Sequence, residues 1–432
     1  MRQGVADNFG GYFAITATAD GNDAKTSIVA SGLKNLPNGL DEGAFEGWYG
    51  LSLNGANLGQ SRRVSLYIPE ATAGPTLLVQ SAYSNQTANG DTFELYRYDP
   101  ALFHNAINRA LTETFPVIYL PVRSEKLVVD SVLLNGDFED WTSGAPDNWT
   151  DVNSPTESQE SSKVYHGTYS GKLTAPAGSV GQWTQSLDTN ISEISGNTAI
   201  FKARVWTDGA SQARLRLDWD GTNFENGDYH CGDSEWELLS VDASVPASAT
   251  QVKVIFEVAA GATAYIDGAW AAVGPVYKYT VPSAIIRGPF SVEQQWNEAD
   301  VDGPYYRFIE NQSPKQGRFL RLRGMGLYSQ PSTDSATAEI DEPKLSLVLA
   351  YATMVLWRQL WGRASAEQRQ TLIENIQFWQ AEVQRLSGQP GIRMLPMSAQ
   401  VTNHAWHIEE DSSGRYLLFD VSRGSLAGSS LT

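Results

Sequence analysis

Ala213-Arg-Leu-Arg-Leu-Asp-Trp219 and Gln251-Val-Lys-Val-Ile-Phe-Glu-Val258 alternate apolar and polar residues, and so does Phe201-Lys-Ala-Arg-Val-Trp206. A strand sends successive side chains to opposite faces, so each segment has one buried face and one wet face. The pattern continues from about 132 to 275 with Gly and Asn turns and no helical period. Strands at this spacing predict a two-sheet sandwich that forms a domain by itself.

Outward from this segment the texture changes. Residues 1 to about 98 read as short strands between turn formers, with Val64, Leu66 and Ile68 alternating. A helix is expected at about 99–115, because Asp99 can cap it, Pro100 suits its first position and Leu102, Ile107 and Leu111 share a face. Strands return at about 276–330, and the period then switches to 3.6 over 343–387. Ser365-Ala-Glu-Gln is a capping box between two helices, and Gly388 and Pro390 stop the second. The expected fold is mainly β with a helical hairpin: a β-sandwich or adaptor scaffold over 1–131 and 276–432, with a jelly-roll β-sandwich inserted at 132–275.

Composition narrows the function. With 31 Lys+Arg against 49 Asp+Glu the net charge is −18, which repels phosphate and makes duplex nucleic acid a poor main ligand. Cys231 is the one cysteine, so no internal disulfide forms. The first residues carry no apolar run and no stretch of 18 apolar residues occurs, so neither a signal peptide nor a membrane span is expected. Phosphate loops, His-Glu-x-x-His, Gly-x-Ser-x-Gly and paired Cys motifs are all missing, and a non-enzymatic protein is expected. His404 and His407 beside Glu409 and Glu410 are more simply polar loop residues than ligands. Arg318-Phe-Leu-Arg-Leu-Arg323 reads as a solvated face or an intersubunit salt-bridge partner, with DNA contact the lesser alternative.

Seven of the 13 tryptophans fall in 132–275. Most tryptophans on such strands are core, but a flat ring also matches the C–H face of a pyranose. Trp219, Trp236 and Tyr229, flanking the loop from Asp220, are the glycan-binding candidates. In the first hairpin helix Leu345, Leu349, Met354, Trp357 and Trp361 cover more surface than one partner helix buries, and are expected to form an assembly interface.

Three motifs carry a resemblance: Leu134-Asn-Gly-Asp-Phe-Glu-Asp-Trp141 leading to Pro146 and Trp149, His166-Gly-Thr-Tyr-Ser-Gly-Lys-Leu173, and Ala264-Tyr-Ile-Asp-Gly-Ala-Trp270. Their order resembles carbohydrate-binding modules of families four and nine. The resemblance implies a jelly roll and a structural calcium, carried over onto Glu139, Ser170 and Asp267. The flanks, with Asp91-Thr-Phe-Glu-Leu-Tyr-Arg-Tyr-Asp-Pro100, Asn105-Ala-Ile-Asn-Arg-Ala-Leu111 and Gly317-Arg-Phe-Leu-Arg-Leu-Arg-Gly324, resemble virion structural proteins of tailed bacteriophages. That resemblance implies a neck or head-to-tail connector subunit, made in the host cytoplasm, that assembles into a homo-oligomeric ring, with a dodecamer as a candidate. Portal and other neck or tail proteins would be its partners and DNA only a cargo, with no membrane involved. The alternatives are a tail or baseplate protein meeting host surface glycans, and a glycan-active enzyme with an accessory module.

Overall fold

The computed structural model describes residues 1–9, 11–295, 306–308, 314–331, 340–362, 364–389, 392 and 406–420. The protein is mainly β with a helical hairpin, and its chain divides into two compact units. Unit 1 comprises Met1–Leu120 and Leu327–Met397; unit 2 comprises Pro121–Gly326 and Ser398–Thr432. No described helix is long and apolar enough to cross a membrane.

Unit 1 contains α1 (Arg2–Phe9), strands β1 (Tyr12–Thr16), β2 (Ser27–Val29), β3 (Tyr49–Ser52), β4 (Ser61–Ile68), β5 (Thr76–Val79) and β6 (Thr92–Tyr96), and then α2 (Pro100–Glu113). After Leu327 follow α3 (Lys344–Trp361) and α4 (Ala366–Ser387). The strands form one sheet in the order β1-β6-β3-β4-β5-β2. The Asp99 carboxylate accepts the Ala101 N–H at 3.0 Å and Pro100 opens α2, so the cap sits where the sequence puts it. The α4 capping box on Ser365 and Gln368 is likewise formed.

The apolar stripe of α3 is spent inside unit 1. Met354 is buried, and Leu345 and Leu349 pack half-buried against a core that α1 and α2 also supply. Trp357 stacks on Phe9 with ring centroids 4.0 Å apart, and the Asn8 side chain donates to Thr353 Oγ1 at 3.2 Å. Trp361 alone of the five is exposed, beneath the Arg369 guanidinium. Of the expected assembly interface, Met354 is buried, Leu345, Leu349 and Trp357 are half-buried within unit 1, and Trp361 is exposed. The missing partner was α1, whose eight residues bury only Val5 and Ala6 and give no amphipathic signal.

Unit 2 begins with β7 (Leu120–Val128) and continues through β8 (Thr150–Val152), β9 (Thr156–Glu160), β10 (Ser170–Thr174), β11 (Gly181–Ser186), β12 (Thr198–Trp206), β13 (Ala213–Trp219), β14 (Asn223–Tyr229), β15 (Trp236–Ser244), β16 (Val252–Val258) and β17 (Thr263–Ala272). Strands β8 to β17 make two five-stranded antiparallel sheets. Sheet A runs β8-β11-β16-β13-β14 and sheet B runs β9-β10-β17-β12-β15. Their inner faces enclose one core of Leu215, Leu217, Val254, Phe256, Phe201 and Val205, among others.

The Asn-Gly-Asp-Phe-Glu segment closes one end of this core. Phe138 is buried between Trp149 and Trp183, at ring distances of 5.3 and 5.5 Å. The Asn135 side chain holds the loop by donating to the Asp140 and Asp147 carbonyls. Gly136 is required because a Cβ there would lie 2.0 Å from the Ala269 carbonyl oxygen.

The compact unit is wider than 132–275. Strands β18 (Lys278–Thr280), β19 (Arg287–Gln295), β20 (Tyr306–Arg307), β21 (Phe319–Gly326), β22 (Trp406–Glu410) and β23 (Tyr416–Asp420) belong to it. With β7 they form sheets β20-β19-β21-β7 and β18-β23-β22. Val128, Trp270, Ala272 and Phe319 share a small core, so the jelly roll is closed by residues outside the segment that its own alternation marks. In the basic strand of β21, Arg321 Nε donates to Glu125 at 2.7 Å, while the exposed Arg323 pairs with Glu293 at 3.2 Å.

Trp357→Ala should lower the melting temperature, at a cost of roughly 2–3 kcal/mol for a half-buried ring, and leave the mass in solution unchanged. Calorimetry with light scattering checks this. A changed mass with an unchanged melt would return α3 to the surface.

Candidate binding surfaces of unit 2

On sheet A, core residues alternate with an outer row set by the strand register. Gln182, Glu257, Arg214 and Tyr229 lie side by side on β11, β16, β13 and β14. Next to them run Thr184, Ile255, Arg216 and Asn226, and then Ser186, Lys253, Asp218 and Phe224. A bulge between Arg214 and Arg216 changes the spacing on β14, so that Phe224 and Tyr229 face the same way. Five strands at about 4.8 Å spacing make this face roughly 20 Å wide.

Glu257 is the hub of the row. Arg214 Nε donates to its Oε1 at 2.7 Å, and Arg216 and Gln182 donate to its Oε2 at 2.6 and 2.7 Å. Burial pushes the carboxyl up, but these hydrogen bonds from Arg216, Gln182 and Arg214 outweigh it and hold it below the usual carboxylate range. The Arg216 guanidinium lies 4.6 Å from the Phe224 ring centroid and that of Arg214 lies 4.8 Å from Tyr229. Phe224 and Tyr229 remain 50% and 43% exposed. Two buried polar atoms on the same face, Arg216 Nε and Asp218 Oδ1, have no hydrogen-bond partner.

The three glycan candidates do not come together. Tyr229 is on this outer face, Trp219 packs against the inner core, and Trp236 lies on sheet B opposite Trp206. Trp236 is approached by Tyr165 at 6.1 Å, and Lys163 sits 3.1 Å from the Trp206 ring centroid, so the segment before β10 overlies that sheet. Arg214, Arg216, Phe224 and Glu257 were missed. The alternation of β13 and β16 could have placed them on the wet face, whereas Phe224 depends on a bulge that no sequence pattern marks.

Glu139, Ser170 and Asp267, the residues of the calcium expectation, are each engaged by the segment between Lys163 and Tyr169. Asp267 accepts the Tyr165, His166 and Gly268 N–H groups at 2.8, 2.9 and 2.6 Å, and Glu139 accepts those of Thr168 and Tyr169. The Ser170 hydroxyl donates to the Lys163 carbonyl. Asp137, Glu139 and Asp267 do not form a trio with ligand atoms all within 4.8 Å, a spacing that among the described residues only His230, Cys231 and Asp233 meet. Glu139 and Asp267 act as hydrogen-bonded anchors of the 163–170 segment. Burial pushes Asp267 well above the usual range against its three N–H donors, and it pushes Asp137 up to about 6.

Beside these acids is a cleft of about 630 Å³, lined by Glu125, Lys126, Asp137, Glu139, His166 and Pro282 among others. Glu125 Oε2 lies 3.0 Å from His166 Nε2 and accepts the Tyr306 hydroxyl at 2.7 Å. Burial opposes its charge, but the donors His166, Tyr306, Arg321 and Arg123 hold Glu125 far below the usual range. The His166 ring stacks on Phe319 at 4.0 Å. The other histidine pair fares differently: His404 lies outside the described residues, and His407 pairs with Glu409 on an exposed strand.

Asp137 sets a pH dependence. Its folded value of about 6 exceeds the ordinary 3.8, so its charge costs the folded state about 3 kcal/mol above pH 6, and the cost fades as pH falls from there towards 4. Asp137→Asn should therefore melt higher than the parent at pH 8, with the gap shrinking in acid. Calcium in place of a chelator should leave the gap unchanged; a gap that closes with calcium would put an ion among these carboxylates.

No family model matches the chain, and no curated protein matches it. Among solved structures it is similar to the C-terminal family 22 carbohydrate binding module of Clostridium thermocellum Xyn10B, at 22% identity and a TM-score of 0.27, over 31% of this chain and 91% of that one. It is similar to TmCBM61, solved with β-1,4-galactotriose, at 15% identity and a TM-score of 0.27, over 33% of this chain and 99% of that one. It is also similar to the enzymatically active domain of tailspike protein 4 of bacteriophage CBA120, at 15% identity and a TM-score of 0.27. There the match spans 34% of this chain and 22% of the tailspike.

Proposed function

We propose that this chain is a non-catalytic glycan-binding protein whose binding surface is the outer face of sheet A, carried in the tail or baseplate of a phage virion. One observation carries the binding surface. Two exposed aromatic rings, Phe224 and Tyr229, flank a polar row ordered by Glu257. Between the rings, Arg214, Arg216 and Gln182 are held in place on Glu257 and form an ordered polar row. A sugar offers hydroxyls at its rim and an apolar C–H face for Tyr229 and Phe224. The virion setting rests on the motif order in the flanks. The neck-connector alternative, with its ring and portal partners, has less support from α3, much of whose apolar surface packs within unit 1.

Affinity electrophoresis of the full chain against soluble bacterial surface polysaccharides tests the proposal. Tyr229→Ala and Phe224→Ala should each weaken retardation about tenfold, the equivalent of 1.4 kcal/mol. Trp236→Ala should leave retardation unchanged. Retardation by no polysaccharide, or retardation indifferent to Tyr229 and Phe224, would overturn it.

A further inference from the structure

The turn between β14 and β15, His230-Cys231-Gly232-Asp233-Ser234-Glu235, gathers three different ligand types. His230 offers a ring nitrogen, Cys231 its Sγ and Asp233 a carboxylate oxygen, and these atoms all lie within 4.8 Å of one another. His230 is 1% exposed. Its Nε2 lies 3.1 Å from the Val205 carbonyl oxygen and 3.2 Å from that of Glu235. Carbonyls only accept, so Nε2 carries the proton and the ring's lone pair is at Nδ1. A second oxygen donor is close, since Glu237 Oε2 is 3.7 Å from Nδ1 and accepts the Cys231 N–H at 2.9 Å.

We propose that this turn is a binding site for a transition-metal ion of the zinc class, with His230 Nδ1, Cys231 Sγ and the Asp233 carboxylate as ligands and Glu237 positioned as the fourth. Zinc takes thiolate, imidazole and carboxylate in one tetrahedral set, whereas calcium selects oxygens alone. The carbonyls on Nε2 play the part that outer partners play for metal-bound histidines, fixing the tautomer and the ring orientation. The turn is also held in place from behind: Gly232 has φ +81°, and a Cβ on it would lie 2.1 Å from the Ala210 nitrogen. Cys231 and Asp233 are exposed, so an ion reaches the site from solvent. In this structure the Gly232 N–H donates to Nδ1 at 2.8 Å, and that is the bond the ion replaces. The site ties an edge strand of sheet A to an edge strand of sheet B, and it stands whether or not the outer face of sheet A binds sugar.

Cobalt(II) is the probe, added to the reduced full-length chain. One equivalent should produce the near-ultraviolet thiolate-to-cobalt charge-transfer band and tetrahedral visible bands, both abolished by zinc and untouched by excess calcium. Cys231→Ser should remove the charge-transfer band, and Cys231→Ser and Asp233→Asn should each weaken zinc at least tenfold in competition with a chromophoric chelator. Zinc should raise the melting temperature of the parent and not of Cys231→Ser. Both substitutions are at exposed positions, and circular dichroism verifies that the variants fold. Absence of the charge-transfer band, or equal zinc affinity in folded Cys231→Ser, overturns the site.

Discussion

Glu257 is 5% exposed on the side of sheet A that turns away from the core, and a carboxylate so placed must find its hydrogen bonds among the neighbouring strands. Arg214 and Arg216 from β13 and Gln182 from β11 supply them. Removing one partner of such a buried ionic group strands the rest, so the set acts as a unit. Its consequence is a flat, polar, pre-ordered surface. The long side chains that would otherwise sweep across the sheet are tied down, Tyr229 and Phe224 stack at their edges, and little side-chain entropy is left for a ligand to quench.

The same logic of local satisfaction runs through both units. In unit 1 the apolar breadth of α3 is met by α1, α2 and α4. In unit 2 the basic strand of β21 is met by Glu125 and Glu293. Glu139 and Asp267, from the Asn-Gly-Asp-Phe-Glu and closing-strand motifs, are met by backbone N–H groups of the segment between His166 and Tyr169 and by Gly268. Features that stand out in a linear sequence because they are unbalanced turn out to be halves of intramolecular pairs. The functional proposals rest instead on the exposed rings of Phe224 and Tyr229 on the outer face of sheet A and on the ligand-rich turn at His230.

The two-sheet core was legible because Ala213–Trp219 alternates apolar and polar residues and Val252–Val258 does so apart from Ile255, which fixes the buried face. The capped helix at Pro100 and the Ser365 hairpin were legible because cap chemistry is local. What was not legible depends on partners distant in the chain. Trp357 reads as surface until Phe9 is seen against it, and Trp236 reads as a free ring until Tyr165 reaches it. The edges of unit 2 were hidden for the same reason, because Trp270 packs with Phe319 across some 50 residues of sequence. Of the candidate glycan residues only Tyr229 reached the face, and the bulge in β14 that turns Phe224 beside it has no signature in residue type.

Hydrogen exchange read by mass spectrometry, with and without a retained oligosaccharide, tests most directly whether the Glu257 row is the ligand surface. The account predicts added protection in peptides covering 213–229 and 252–258 and none in 163–170 or in α3. Protection centred on the 630 Å³ cleft around His166, or in unit 1, with β13 and β16 unchanged, would contradict it.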